Sequence, residues 1–285
     1  MRTLLLLAAV AGGWSAAGPV LAQSAADLRA QEDTAWVAAH PPSKDYRAPR
    51  LKNGLPDWRG VWATIERNMF DPTAFTDPRN KGNKSAAHIR EWPPYKPEWE
   101  ARYERKLDEN AAGKATDPTA DCIPGGMPRI MNASYPIEFI IEPDRVIIIH
   151  ELDHQVSNIW TDGRKHPAAD EIDPSFMGHS IGHWEGDTLV TDTVGVRDDT
   201  VFDTTSAMHS DKMEVVQHIR RISDQIMEDV ITVIDPVAFT KPWTVRRTWR
   251  VKPSWEIKEY VCENNRTPIL ADGSTGFLPP RPKSN

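Results

Sequence analysis

The sequence lacks several of the features by which protein classes are identified. It contains no glycine-rich phosphate loop and no Cys-x-x-Cys pair, so nothing in it indicates a nucleotide or other organic cofactor. Basic residues are in deficit, with 34 Lys and Arg against 41 Asp and Glu. Because phosphate binding requires clustered basic side chains, we expect no nucleic-acid partner.

Long apolar runs are also absent beyond the N-terminus. No later segment approaches the eighteen or so apolar residues of a membrane-spanning helix, so we predict no membrane span. Residues 1–22 begin with a charge at Arg2, continue through a short apolar run and end in the small residue Ala22. This pattern predicts a secretory signal peptide cleaved after Ala22, and hence a periplasmic or secreted protein.

Cysteine is scarce as well. Only Cys122 and Cys262 are present, on either side of the most strand-like part of the chain. An exported protein folds in an oxidising compartment, so we predict a disulfide bond between them; the alternative is two separately buried thiols. In the chain-entropy model such a long closed loop stabilises the fold by about 4–5 kcal/mol.

The composition along the chain predicts three parts. After the signal peptide, residues 23–56 form a polar segment that wraps the surface and includes a short helix near residues 26–39. Residues 57–285 form one β-barrel domain, interrupted at 66–121 by a loop and a helix. The loop-like stretch 66–96 is a candidate lid. The helix is predicted over Lys96–Ala112, where Trp99, Tyr103 and Leu107 repeat every four residues.

Short β-branched runs with a period of two follow Cys122, separated by turn residues. Together with a strand around Trp62 they predict an antiparallel meander that closes into a barrel, with one or two peripheral helices. The predicted strands are Ile137–Glu142, Arg145–Glu151, Gln155–Thr161, His179–Trp184, Thr188–Val194, Lys212–Ile222, Ile226–Ile234, Thr244–Val251 and Trp255–Val261.

Two resemblances add to this prediction. The segment "DWRGVW", with Asp57, Gly60 and Trp62, resembles the Gly-x-Trp opening of lipocalin-like (calycin) barrels. The blocks "CIPGGMPR", "TDGRKHP", "GHWEGDTLV", "HSDKMEVV" and "EYVCENN" resemble those of an abundant, largely uncharacterised family of secreted proteobacterial proteins. That resemblance implies export and a barrel but little chemistry. This chain departs from the family at His183 and at Gln217–His218, where relatives have Arg and Glu-Arg.

Ionisable residues concentrate in the segment 178–196, which predicts two strands joined by a tight turn at residues 185–187. Histidine beside a carboxylate is suited to proton transfer near neutral pH. We therefore predict His209, His183 and Asp192 as catalytic residues. If Asp192 points inward, Arg246 or Arg247 is its expected partner. Further residues are predicted to bind substrate: Arg164, His166, Trp184, His218 and Arg246.

Histidine pairs spaced by four do not predict a metal site in a strand. Such residues share a face, but they lie roughly 13 Å apart, too far for one ion. This applies to His179 with His183 and to His150 with His154. A metal would need His183 together with His209 or His218 from another strand, and we predict none.

Two functions remain open from the sequence. The first is an enzyme that takes an apolar or aromatic small molecule into the barrel and acts on it as a cofactor-independent lyase, dehydratase or isomerase. The second is a non-catalytic carrier of the same fold, in which polar residues only orient the ligand. A copper- or zinc-binding protein is a third, weaker hypothesis.

Overall fold

Nine β-strands close into a barrel in the computed structural model of the chain. Residues 45–64, 93–114 and 116–262 are described, together with residues 39 and 43. The predicted signal peptide, most of the predicted N-terminal helix and nearly all of the candidate lid lie outside the described residues. The chain divides into two units, residues 1–39 and 40–285, and Ala39, the one residue described in the first, is helical.

The barrel confirms the mainly β fold predicted from the alternating sequence pattern. Its strands are β1 Val61–Thr64, β2 Ile137–Ile141, β3 Arg145–His150, β4 Val156–Trp160, β5 His179–Glu185, β6 Thr188–Val194, β7 Glu214–Arg221, β8 Ile226–Ile234 and β9 Trp243–Lys252.

Alternate residues of each strand point into the barrel, as a period of two requires. On β8 the inward side chains are Met227, Asp229, Ile231 and Val233, all fully buried. The same alternation on the neighbouring strands builds an interior of aliphatic and aromatic side chains, among which Trp62 and Trp249 are fully buried. Burial of this apolar surface is the main force that holds the barrel together.

Neighbouring strands pair antiparallel in chain order, with one exception. β4 and β5 run parallel, with Ile159 opposite Ser180 and Trp160 opposite Ile181. The predicted antiparallel meander is therefore wrong at this step, where the Asp162–Gly163 turn opens a long connection over residues 161–178. A parallel pair needs such a connection because the chain must return to the same end of the sheet.

The predicted strand Trp255–Val261 is wrong, because residues 253–262 have no regular secondary structure. The barrel closes when β1 pairs with β9, which leaves no free edge beside β9 for another strand. The segment instead runs along residues near the end of β3. There the backbone N–H of Lys258 donates to Glu151 and that of Tyr260 to His154.

The predicted helix is present as α1, Pro97–Ala111. It starts with proline, which suits a first helical turn, and buries the stripe of Trp99, Tyr103 and Leu107. Tyr103 reaches the hydroxyl of Thr205 at 2.6 Å. The helix therefore packs on the loops at one end of the barrel. None of the described helices is long and apolar enough to cross a membrane.

The predicted disulfide is confirmed. Cys122 and Cys262 are bonded to each other across a sequence separation of 140 residues. Cys122 follows a short 3-10 helix over Pro118–Asp121, and Cys262 ends the irregular segment after β9. Strands β2 to β9 all lie within the loop that this bond closes.

Candidate functional site

Half of the predicted catalytic and substrate-binding residues lie on the outer wall of the barrel. His183 of β5 is opposite Val190 of β6, which in turn is opposite His218 of β7, and all three point outward. Asp192 lies on the same outward face of β6, so it is not the inward carboxylate considered from the sequence. The interior positions of β6 belong to Leu189, Thr191 and Thr193.

Two of the predicted site residues, His183 and Arg246, belong to ion pairs on this outer face. The His183 side chain is 64% exposed and lies 3.2 Å from Glu185. Arg246 pairs with Glu228, which also pairs with Arg220 at 3.0 Å. His218 is exposed on the adjacent strand. Contacts of this kind are typical of a solvated sheet surface and stabilise a fold only weakly.

A tighter cluster forms where the connection 161–178 lies over the wall. Arg164 stacks on Trp160 at 3.7 Å and pairs with Asp162. The Nδ1 atom of His166 lies 2.8 Å from Nδ1 of His179, and its Nε2 atom lies 3.4 Å from Asp192. The structure therefore brings together Arg164, His166 and Asp192, with His179 as a member that the sequence did not predict.

His209 lies apart from all of these residues, buried in the loop between β6 and β7. Its Nε2 is 2.8 Å from the Thr200 hydroxyl and its Nδ1 donates to the Ser210 carbonyl at 2.9 Å. Burial lowers the pKa of His209, so the imidazole is neutral at pH 7. With both ring nitrogens engaged, this residue has the contacts of a structural histidine.

The buried acid inside the barrel is Asp229, which the sequence analysis missed. It receives a hydrogen bond of 2.7 Å from Gln217, and it is opposite Arg247 of β9. Gln217 accepts in turn from Thr191 at 3.4 Å. Arg247 is fully buried and donates to the Asn132 carbonyl at 3.0 Å. A polar layer thus crosses a mainly apolar interior.

Burial raises the pKa of Asp229 to about 8, although the Gln217 hydrogen bond and the Arg247 charge act to lower it. At pH 7 the carboxyl group is therefore largely protonated. Its Oδ1 atom is buried and has no hydrogen-bond partner among the described residues. A carboxylic acid in this state can deliver a proton to a bound molecule.

Two further polar pairs face the interior. His150 lies 2.9 Å from the Ser157 hydroxyl, and Ser180 lies 2.7 Å from that of Thr193. Burial lowers the pKa of His150 to about 3, so the ring is neutral. Within the described residues, its Nδ1 atom also has no hydrogen-bond partner.

A pocket of about 290 Å³ opens beside β2, where the short strand β1 ends its pairing. We call it the seam pocket. Its apolar walls include Trp58 and Phe139, whose rings meet edge to face at 5.3 Å, and Ile140 at the rim. The polar rim is formed by Arg59, Glu138 and Glu142. Apolar walls with a few polar groups are typical of small-molecule sites.

Trp184 links the seam pocket to the interior. Its ring lies 5.0 Å from that of Trp58, and it points into the barrel from β5. From Trp184, directly opposite residues on the next four strands form one row of inward-pointing side chains. The members of this row are Leu189, Ile219, Asp229 and Arg247. Of the predicted substrate-binding residues, Trp184 is therefore the one beside both the pocket and this row.

Two short stretches match motifs of hydrolytic enzymes, but neither has the required geometry. Residues 150–154 read His-Glu-Leu-Asp-His, the spacing of a zinc motif that works on a helix. Here His150 ends a strand and His154 follows a turn with positive φ, where it accepts from the Tyr260 N–H. Residues 178–182 read Gly-His-Ser-Ile-Gly, yet Ser180 lies within β5 and not at a strand-to-helix turn.

No group of three or more His, Cys, Asp and Glu side chains in the described part of the chain is arranged to hold a metal ion. Comparison with known proteins adds no assignment, since no protein-family model matches the sequence and no curated protein matches it. The candidate functional site is therefore defined by geometry: the seam pocket and the Asp229 row behind it.

Proposed function

We propose that the barrel takes up an apolar or aromatic small molecule through the seam pocket and acts on it in the barrel interior, by proton transfer from Asp229. The observation that carries this proposal is the buried carboxyl of Asp229, whose Oδ1 atom has no hydrogen-bond partner among the described residues, in the interior row that begins at Trp184 beside the pocket. Keeping a neutral acid in such a place destabilises the fold, which favours a functional role over a structural one.

The proposed chemistry is that of a lyase, dehydratase or isomerase, because these reactions require only a positioned proton donor and acceptor. In this proposal Asp229 is the catalytic proton donor. The sequence-based prediction gave the catalytic role to His209, His183 and Asp192, but those three side chains lie outside the barrel interior. The neutral ring of His150, whose Nδ1 atom has no hydrogen-bond partner among the described residues, is a second interior group that can orient a bound molecule. Export and membership of the secreted proteobacterial family remain predictions from the sequence.

A carrier is the second candidate. The hydrogen bond from Gln217 and the charge of Arg247 already engage Asp229, so this polar layer is also compatible with orienting a ligand without chemistry. In that case the protein binds the small molecule and releases it unchanged.

Binding is tested with 2-naphthol, an uncharged aromatic probe, through quenching of tryptophan fluorescence. Ile140→Lys places a charged chain at the pocket rim, where Ile140 is already 38% exposed, so folding is preserved. We expect at least tenfold weaker binding. Val156→Lys is the matched control, since Val156 is an exposed strand residue outside the pocket lining. Equal affinity of both variants and the wild type contradicts the seam-pocket proposal.

Enzyme and carrier are separated by proton exchange. Small molecules retained from cell extract by the wild type, but not by Ile140→Lys, are incubated with the protein in D2O and analysed by mass spectrometry. An enzyme incorporates deuterium or forms product, and Asp229→Asn abolishes this while binding remains. Retention with no exchange and no product supports the carrier.

A further inference from the structure

The connection 161–178 is attached to the barrel wall in two different ways. Its C-terminal part is held by backbone hydrogen bonds: Ser175 exchanges two with Gly195 and Arg197, and Met127 donates to Phe176. The preceding part contacts the wall through the side chains of Arg164 and His166 and through Ile172, which packs against Gly195. A groove of about 390 Å³ beside this contact is lined from both sides, by residues that include Pro174, Val194 and Glu214.

The contact between His166 and His179 depends on protonation. Two Nδ1 atoms at 2.8 Å form a hydrogen bond only if one carries a proton and the other offers its lone pair. When both rings are imidazolium ions, two N–H groups face each other and two positive charges repel. The contact therefore forms when one of the two Nδ1 atoms carries a proton, and it breaks when both Nδ1 atoms carry one.

Charged groups are distributed unevenly around the two rings. Asp192 lies 3.4 Å from Nε2 of His166, and Glu214 of β7 interacts with both of these groups. Arg164 lies on the other side, near His179. The carboxylates therefore face His166, and the Arg164 guanidinium acts on His179.

We propose that His166 and His179 form a proton-operated latch that holds the connection 161–178 against the wall and releases it when both rings are protonated. Release also frees Arg164 from Trp160, one of the two residues by which β4 pairs with β5. The latch therefore lies at one of the two junctions where neighbouring strands share only two residue pairs, and acidification opens it.

The direction of the pH effect follows from the individual groups. Burial, His166 and Arg164 lower the pKa of His179 in the closed state below its ordinary 6.5. The closed state is then fully favoured above pH 6.5 and is lost as pH falls below it. Glu214 opposes this, because burial and Asp192 raise its pKa, and the closed state binds that proton more tightly.

The test is hydrogen exchange by mass spectrometry at pH 7.5 and 5.5 in the presence of a chelator, corrected for the intrinsic effect of pH. In the wild type we expect exchange in residues 162–172 to rise up to about tenfold at pH 5.5, the change that one titrating group gives over one pH unit. Strands β7 to β9 should change little. Unaltered protection of residues 162–172 at pH 5.5, or a uniform rise over the whole barrel, overturns the proposal.

Two variants test the latch itself. In His179→Gln the amide keeps a hydrogen bond to His166 without titrating, so the pH response should disappear. His166→Gln should also remove the pH response of hydrogen exchange. Because the two variants are independent, the proposal can still be tested if one of them fails to fold. His183→Gln is the matched control, because His183 lies on the same face of β5 and is exposed. A wild-type pH response in both latch variants overturns the proposal.

Discussion

Replacing Asp229 with asparagine should stabilise the protein at neutral pH. Asparagine has nearly the same shape, and its carbonyl oxygen can still accept the hydrogen bond that Gln217 donates at 2.7 Å. It carries no charge that must be neutralised on folding. The wild-type carboxyl, in contrast, ionises at a pKa of 3.8 when unfolded and at about 8 when folded.

The size of the effect follows from these two values. Each pH unit between them costs the wild-type fold about 1.4 kcal/mol, because folding must take up a proton. At pH 7 the expected penalty, which is an upper bound, is about 4 kcal/mol. A raised folded-state pKa means that the stability of the wild type is fully present below pH 4 and falls as pH rises towards 8.

The measurement is urea unfolding of the wild type and of Asp229→Asn at several values between pH 4 and pH 8. The stability difference should be small at pH 4 and should grow steadily in favour of the variant. Asp192→Asn is the control, since that carboxyl lies on the outer wall and is 38% exposed. A variant that is less stable than the wild type at pH 7 would show an ionised Asp229 paired with Arg247, and would refute the argument.

Three more outcomes are expected. Reduction of the Cys122–Cys262 bond should lower the free energy of unfolding by about 4–5 kcal/mol, measured in urea with and without reductant. Gly178→Ala should lower the free energy of unfolding by more than about 2 kcal/mol, because φ is +66° and a Cβ would lie 2.6 Å from the Val194 oxygen. Gly186→Ala, with open space around the new Cβ, should lower it by about 1 kcal/mol in the same assay. His150→Gln should reduce the loss of stability below pH 6.5, because the wild-type ring, with a folded pKa of about 3, gains a proton when the protein unfolds. An unchanged dependence of the free energy of unfolding on acidic pH would contradict this.

The strands were predictable because their pattern is local. Alternation of Val and Ile with polar residues identifies β2 to β9, and the sequence Glu185–Gly186–Asp187 identifies the tight turn between β5 and β6. The parallel pairing of β4 with β5 was not predictable from the Asp162–Gly163 turn. It depends on where the chain returns after residue 178, which is a non-local property.

The location of the site depended on which face of each strand points inward. On β6 both faces mix polar and apolar residues, so the sequence does not reveal that Asp192 points outward. On β8 a signal was present, because Asp229 alternates with Met227, Ile231 and Val233. The proximity of His166 to His179 could not be inferred, since it is set by the path of the connection.

The two short stretches that match motifs of hydrolytic enzymes do not indicate a function here, because such motifs act only on a particular backbone geometry. The His-Glu-x-x-His and Gly-x-Ser-x-Gly spacings are both present, yet strands and turns keep His150 away from His154 and place Ser180 beside Thr193. The strand and turn geometry therefore excludes a zinc site at the first stretch and a serine nucleophile at the second.

The disulfide has a consequence for the integrity of the molecule after proteolysis. Because Cys122 and Cys262 bracket eight of the nine strands, a single cut anywhere between them leaves both pieces covalently joined. A nick in the surface connection between β4 and β5 would therefore give one species on a non-reducing gel and two on a reducing gel. The barrel, still held as one molecule, could keep its closed wall after such damage.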